Sequence, residues 1–263
     1  DQAEYSRYTL CGKDRIHPST DGHLVMAYLF LKAQGLAGKP VADIRIDGAG
    51  KKVTRSDNCR VSDLSVSSDN LTFTYEAKSL PYPIDTSYYD NEKHTQADAL
   101  SVIPFMDEMN YEGLSVSGLS DGYYGLTIGG EFIGRFTARE LERGINMALL
   151  QNTPQYKQAM KIRQMNEERW LKERKMREFY WVEYNLMRKT GMLWACNEAA
   201  VDTLRKYRPH DIFLQWNGDL WLQYMHKGIR EDCVNEQQDL VNRIYEQNKP
   251  IPLRIEIKKF TDL

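Results

Sequence analysis

The hydrophobic pattern begins with one strongly apolar run, which predicts a helix. Residues 21–34 read DGHLVMAYLFLKAQ, apolar on nearly all sides, with Ser19, Thr20 and Asp21 as candidate capping residues before the run and Gly35 after it. This combination predicts a short helix buried in a larger core. Residues 1–18 show no helix or strand pattern that could form an opposing layer. The packing partners of this helix are therefore expected to come from elsewhere.

Between about residues 39 and 136 the pattern changes to short alternating runs, which predict an antiparallel β-module. The predicted strands are 42–47, 61–66, 71–77, 114–116, 123–128 and 131–136. Gly129-Gly130 joins the last two runs and predicts a tight hairpin. The stretch 81–105 contains three prolines and predicts a loop with a short helix near 97–103.

After Phe136 the pattern becomes helical. Thr137 with Glu140 has the spacing of a capping box, and Thr153-Pro154 predicts the start of a long helix that meets no Pro or Gly until about residue 189. Further helices are predicted near 198–207 and 220–247, the second interrupted or bent near Gly228. Residues 252–260 alternate and predict a terminal strand with one buried face. The predicted division is therefore 1–38, 39–136 and 137–263.

Composition excludes some classes of protein. The chain has 35 basic and 37 acidic side chains, a net charge of −2, whereas a general nucleic-acid binder carries a basic excess. No apolar run approaches the roughly 18 residues that a membrane span needs. The four cysteines lack C-x-x-C spacing, which argues against zinc ribbons and thioredoxin-type redox motifs. Two disulfides and buried free thiols remain as alternatives. The first residue is Asp1, so we expect that any targeting signal is removed or lies outside these residues.

The segment 12–23, GKDRIHPSTDGH, holds the strongest candidate for chemistry. An Asp three residues before a His can turn back and accept a hydrogen bond from the imidazole Nδ1–H. That bond fixes the tautomer and stabilises the imidazolium that forms when Nε2 takes a proton from a nucleophile. Asp14 and His17 would then be two members of a catalytic triad.

The longer string DRIHPSTDGHLVMA, residues 14–27, closely resembles the last conserved block of the SGNH (GDSL-type) hydrolases. These are serine esterases with a flavodoxin-like three-layer α/β/α domain. The resemblance implies that Asp14 is the orienting carboxylate, that His17 is the general base and that His23 is structural. Segments between residues 114 and 159 resemble the β-module and helical tail of one bacterial branch. Residues 1–38 would then be the end of the SGNH domain, followed by a small antiparallel β-module and a helical region.

The family's Gly-Asp-Ser nucleophile block, and the Gly and Asn of its oxyanion hole, have no counterpart before Asp14. We therefore expect an upstream SGNH portion of roughly 150 to 200 residues, on the same or a separate chain, to pack onto residues 16–36 and supply the serine. The resemblance implies a secreted or periplasmic enzyme that hydrolyses small acyl esters without a cofactor, with carbohydrate as the expected substrate. The alternative is a non-catalytic glycan- or protein-binding module.

Other candidate residues fit structural roles better. The segment 118–122, GLSDG, matches G-x-S-x-G but lies between two predicted strands, whereas the catalytic form lies on a strand-to-helix turn. A metal site from His17 and His23 with Asp14 and Asp21 is disfavoured by the loop spacing and by Pro18. His94, His210 and His226 are predicted to be surface or capping residues. All five tryptophans lie in the helical third, which fits packing between helices or a sugar-binding cleft.

Overall fold

The first helix packs one face against a later segment of the chain and exposes the other. The structure, a computed structural model, describes residues 9–12, 14–86 and 94–260. Helix α1, Thr20–Ala33, follows the N-cap residue Ser19 and buries Leu24, Val25 and Tyr28. These side chains contact Ala99 and Phe105, from the 3-10 helix Gln96–Ser101 and helix α2, Phe105–Glu108. The helix is confirmed, but its burial is limited to one face.

Two sheets follow, and their strands are bounded as follows: β1 Ala42–Asp47, β2 Lys52–Asp57, β3 Cys59–Val66, β4 Asn70–Ala77, β5 Glu112–Ser117, β6 Tyr123–Ile128, β7 Glu131–Thr137, β8 Ile145–Asn146 and β9 Leu253–Lys259. The first sheet has the order β2-β1-β5-β8 and the second β3-β4-β9-β6-β7. Each predicted strand is present. The terminal strand lies in the middle of the second sheet, paired with β4 and β6.

The β region differs from an antiparallel module in one pairing. Strand β1 pairs with β5 in parallel, from Ala42 opposite Glu112 to Asp47 opposite Ser117, whereas the other pairings are antiparallel. A parallel pair needs a long crossover connection. Here the intervening chain includes β2, β3 and β4. The hairpin prediction is confirmed, because Gly129 and Gly130 both have positive φ, at 60° and 84°, between β6 and β7.

The inward sides of both sheets share one apolar core. Its members include Ile44, Phe73, Leu114, Leu126 and Ile255, each fully buried. In β4 and β9 buried residues alternate with more exposed ones, as expected for strands with one face on a core. Helix α3, Ala138–Arg143, begins at the predicted capping box of Thr137 and Glu140.

The chain divides into two compact units, one of residues 1–160 with 248–263 and one of residues 161–247, here called the helical unit. This division differs from the three predicted segments, because the terminal strand belongs with the β region.

Helix α4, Pro154–Val182, ends in a π-helical turn, Glu183–Met187. Helices α5, α6 and α7 follow as Glu198–Tyr207, Ile212–Tyr224 and Lys227–Gln247. No helix in the described ranges is long and apolar enough to cross a membrane.

A buried carboxylate organises the helical unit. Glu183, 1% exposed, accepts a hydrogen bond from the indole Nε1 of Trp221 at 2.8 Å and one from the backbone N of Trp194 at 2.8 Å. Trp194 has φ 62°, a left-handed conformation that is costly for a bulky residue. The carboxylate of Glu183 thus holds Trp194 in a conformation that its own backbone disfavours.

Replacing Glu183 by Ala is expected to lower the free energy of unfolding of the helical unit by about 3 kcal/mol, since two N–H donors lose their acceptor. All five tryptophans lie in this unit, so urea unfolding followed by tryptophan fluorescence measures it. Glu168, exposed on the same helix, provides the control Glu168→Ala, which should change stability by less than about 0.5 kcal/mol. An equal loss in both variants would contradict this role of Glu183.

Candidate active site

The segment that carries Asp14 and His17 is a closed loop at the start of helix α1. Cys11 and Pro18 form an isolated antiparallel bridge, and the backbone N of Gly12 donates to the carbonyl of His17 at 2.9 Å. The backbone N of Ser19 donates to the carbonyl of Leu10 at 3.2 Å. The two ends of the loop are therefore tied together, and Asp14 and His17 lie between them.

Gly22 allows this loop to lie against the helix. A Cβ atom at position 22 would lie 2.0 Å from the carbonyl oxygen of Leu10, a distance that no side chain tolerates. The glycine five residues after His17 is therefore explained by a close backbone approach, since only Gly lacks the Cβ. This contact ties the candidate site to the first turn of α1.

The structure brings Asp14 and His17 together as the sequence predicts. Oδ2 of Asp14 lies 2.6 Å from Nδ1 of His17, while Oδ1 accepts from the backbone N of Ile16 at 2.9 Å and of His17 at 3.1 Å. These bonds, the one from the imidazole first, lower the pKa of Asp14 to about 2. The carboxylate therefore stays ionised and presents a fixed acceptor to Nδ1.

The other nitrogen of His17 is left free for a further partner. The His17 side chain is 83% exposed, and Asp14 is the one side chain hydrogen-bonded to its imidazole within the described part of the chain. With Nδ1–H donated to Asp14, Nε2 carries the lone pair and can accept a proton. An imidazole oriented in this way by a carboxylate can act as a general base.

The remaining residues of the segment do not converge with this pair. Asp21 is fully buried; its Oδ1 accepts from the hydroxyl of Ser19 and lies 3.2 Å from Nδ1 of His94. His23 is exposed on the helix. In the described ranges no group of three or more His, Cys, Asp or Glu side chains is placed to hold a metal ion. Asp21 thus belongs to a second pair with His94, which the sequence analysis did not predict.

The exposed side of α1 is strongly apolar. Met26, Leu29 and Phe30 are 50%, 52% and 63% exposed, and their spacing of three and four residues places them on one side of the helix; we call them the α1 apolar face. Ile16, beside His17 in the loop, is 74% exposed. Apolar surface of this kind next to a candidate site is typical of a binding or packing surface.

The G-x-S-x-G segment lies on a turn between two strands, as predicted. Ser120 follows β5 and precedes β6, and its hydroxyl accepts a hydrogen bond from Nζ of Lys259 at 2.7 Å. The hydroxyl of Tyr124 donates to the carbonyl of Ser120 at 2.9 Å. These contacts connect the turn to β6 and β9, and they give Ser120 a structural role.

The helical unit contains a contact and a cavity that the spacing of residues in the sequence did not predict. Nδ1 of His226 lies 3.3 Å from Sγ of Cys196, and His226 is exposed, as predicted. His210 lines a cavity. All four cysteines are free thiols: Cys59 and Cys233 are buried, and Cys196 is exposed. The contact between Cys196 and His226 joins residues far apart in the sequence, so no local motif predicts it.

Comparisons with known proteins give two matches. Residues 160–249 match the family model described as the diltiazem deacetylase C-terminal helical domain, which coincides with the helical unit. The whole chain is similar to the solved structure of a gut microbial diltiazem-metabolizing enzyme, with 40% identity, a TM-score of 0.91 and 98% of this chain covered. The chain spans 59% of the length of that enzyme. A search of curated proteins gives no match.

Proposed function

We propose that this chain is the C-terminal part of a serine ester hydrolase of the SGNH type. In this proposal Asp14 and His17 serve a serine nucleophile on a flavodoxin-like portion outside the 263 residues. The observation that carries the proposal is the 2.6 Å contact between Oδ2 of Asp14 and Nδ1 of His17. It leaves Nε2 of an exposed imidazole as the free base.

The proposed reaction is acyl transfer through a covalent intermediate. Nε2 of His17 takes the proton of the serine hydroxyl as the oxygen attacks the acyl carbon, and Asp14 stabilises the imidazolium. His17 then gives the proton to the leaving alcohol. In the second half a water molecule loses its proton to His17 and attacks the acyl-enzyme, which releases the acid and regenerates the serine. The donors of the oxyanion hole would come from the portion outside this chain.

Two further observations support the proposal. The α1 apolar face and Ile16 would be covered by the SGNH portion, which explains the large exposed apolar side chains next to His17 and on the helix that follows it. The similar enzyme extends well beyond the matched region, which leaves room for such a portion. The matched family model is described as part of a deacetylase, and deacetylation removes a small acyl group, the reaction class proposed here.

We propose small acyl esters of carbohydrate as the substrate, in a secreted or periplasmic enzyme that uses no cofactor. The alternative is a non-catalytic glycan- or protein-binding module. It is favoured by one observation, namely that no Gly-Asp-Ser segment occurs in the sequence. The two functions differ in whether hydrolysis depends on His17.

A first experiment identifies the polypeptides that accompany this chain. Material isolated from the native cells through a tag after Leu263 is measured by denaturing intact mass. We expect a longer polypeptide, or a second species, that carries a Gly-Asp-Ser segment. A single species with the mass of these 263 residues would leave Asp14 and His17 without a nucleophile and would favour the binding module.

A second experiment measures turnover of 4-nitrophenyl acetate by the same material. His17→Ala is expected to lower kcat at least about a thousandfold, since the nucleophile loses its base. His23→Ala and Ser120→Ala are matched controls that change one exposed histidine and the serine of G-x-S-x-G, and both should retain the rate within about twofold. If His17→Ala hydrolyses the ester at the rate of the unaltered protein, the proposal fails.

A further inference from the structure

Two cavities of the helical unit share one indole ring in their walls. The first, of about 360 Å³, is lined by Trp170, Arg174, Arg177, Glu178, Trp181 and Asn217. The second, of about 390 Å³, has walls that include Trp181, Asn185, Lys189, Tyr207, His210 and Leu214. Trp181 is part of both. We call the two cavities together the Trp181 groove.

The sequence of helix α4 builds the wall of the groove. Trp170, Arg174, Arg177 and Trp181 are separated by four, three and four residues, a spacing that places them on one side of a helix. Asn185 continues this line in the π-helical turn. Irregular turns of this type occur often at functional sites in helices.

Aromatic side chains from helix α6 hold Trp181 in place. The ring of Phe213 lies 5.2 Å from the ring of Trp181, and Trp216 packs edge-on against Phe213 at 5.5 Å. Trp170 is 46% exposed and Trp216 67% exposed. Since monomers rarely expose large aromatic side chains together, this cluster is better explained by a ligand than by packing alone.

The charges in the first cavity are paired, which argues against a charged ligand there. Nε of Arg174 donates to Oε1 of Glu178 at 2.7 Å, and Nε of Arg177 lies 3.8 Å from Oε1 of Glu173. Asp211 is engaged as the N-cap of helix α6, where it accepts from the backbone N of Phe213 and of Leu214. A phosphate or carboxylate would find no unmatched guanidinium in the first cavity.

The remaining polar groups match a polyhydroxylated ligand. Asn217, Asn185 and Tyr207 offer both donors and acceptors beside the indoles. A sugar ring presents a face of C–H groups, which can stack on an indole, and an edge of hydroxyls, which need donors and acceptors. Each cavity has a volume at the lower end of the roughly 300 to 1,000 Å³ of small-molecule sites, and Trp181 lines both, so successive rings of one chain could contact it from the two cavities.

We propose that the Trp181 groove is a binding site for a neutral oligosaccharide, with one ring in each cavity and Trp181 in contact with both. This inference deepens the proposed function, because it assigns a binding site to the carbohydrate side of the ester. It rests on the proposed function only for the use of that site in hydrolysis. Binding is measured without turnover. A failure of binding would therefore leave His17-dependent hydrolysis untouched, and a failure of hydrolysis would leave binding untouched.

The test is isothermal titration of the full chain with cellohexaose, xylohexaose, mannohexaose and maltohexaose, with polygalacturonate as the anionic comparison. Tryptophan emission is a second readout, since all five tryptophans lie in the helical unit. We expect at least one neutral hexasaccharide to saturate with a Kd below about 1 mM, and its disaccharide to bind at least about tenfold more weakly.

Variants in the two cavities locate the site. Trp170→Ala in the first cavity and Tyr207→Ala in the second should each weaken binding at least about tenfold. Tyr245→Ala is the matched control, because Tyr245 is 68% exposed in the same unit and lines neither cavity. Circular dichroism confirms that each variant is folded. The proposal is overturned if no neutral hexasaccharide saturates, if only polygalacturonate binds, or if Trp170→Ala and Tyr245→Ala bind equally well.

Discussion

Replacing Asp14 by Asn is expected to lower kcat for ester hydrolysis by the native protein about a thousand- to ten-thousandfold, with KM unchanged within about twofold. Asn has the shape of Asp, but its amide donates to Nδ1 of His17 where the carboxylate accepted. His17 would then carry its proton on Nε2, the nitrogen that must take the proton of the nucleophile. The substitution thus tests the tautomer that the 2.6 Å contact fixes.

Two measurements separate this role from a merely structural one. The nitrogen chemical shifts of the His17 ring should show the proton on Nδ1 in the unaltered protein and on Nε2 in Asp14→Asn. The pKa of Asp14 is held at about 2, so above about pH 4 its ionisation should not shape the pH profile of kcat. Asp121→Asn, a change at an exposed turn, is the control. An unchanged tautomer and a rate within about threefold would rule out Asp14 as the orienting residue.

Sequence alone could predict this pair because the contact is local. Three residues separate Asp14 from His17, so the loop itself brings the carboxylate back to the imidazole. The pairs of Asp21 with His94 and of Cys196 with His226 depend on how distant segments pack. Asp21 and Cys196 lie far from these histidines in the sequence, so nothing near His94 or His226 indicates such a partner.

The distinction between local and long-range contacts also explains where the predicted and the observed fold differ. Alternation predicted the terminal strand, but its place between β4 and β6 depends on long-range pairing. Strand β2 was missed because its sequence, KVTRSD, is mostly exposed and shows little alternation. The break between α6 and α7 lies at residues 225–226, which confirms the interruption predicted near Gly228, but α6 begins at Ile212 rather than near residue 220. The carbonyl of Met225 at this break accepts a hydrogen bond from the side chain of Arg230 at 2.7 Å. No helix-termination signal in the sequence predicts this contact.

A second large effect is expected from a buried carboxyl in the β region. Glu112 is fully buried, and its Oε1 accepts from the hydroxyl of Tyr75 at 2.8 Å and from Nε2 of Gln155 at 3.2 Å. Oε2 of Glu112 and Oε1 of Gln155 are buried without a hydrogen-bond partner. Burial raises the pKa of Glu112 to about 7, although the bonds from Tyr75 and Gln155 oppose the shift.

This raised pKa makes stability fall as the pH rises. The ordinary value for Glu is 4.5, so between about pH 4.5 and pH 7 the unfolded chain has lost a proton that the folded protein keeps. The unfolded state binds fewer protons in this interval, and the free energy of unfolding decreases by a total of about 3 kcal/mol. Above about pH 7 both states are ionised, and the loss is complete.

Glu112→Gln should therefore stabilise the protein by about 3 kcal/mol at pH 8 and leave it nearly unchanged at pH 4.5. The amide keeps an acceptor for Tyr75 and carries no charge. Urea unfolding of the variant and the unaltered protein at both pH values measures the difference, so the titration of all other groups cancels. Glu142→Gln, at an exposed position, should give a difference near zero at both. A Glu112→Gln difference that is the same at pH 4.5 and pH 8 would show that Glu112 titrates alike in the folded and unfolded states.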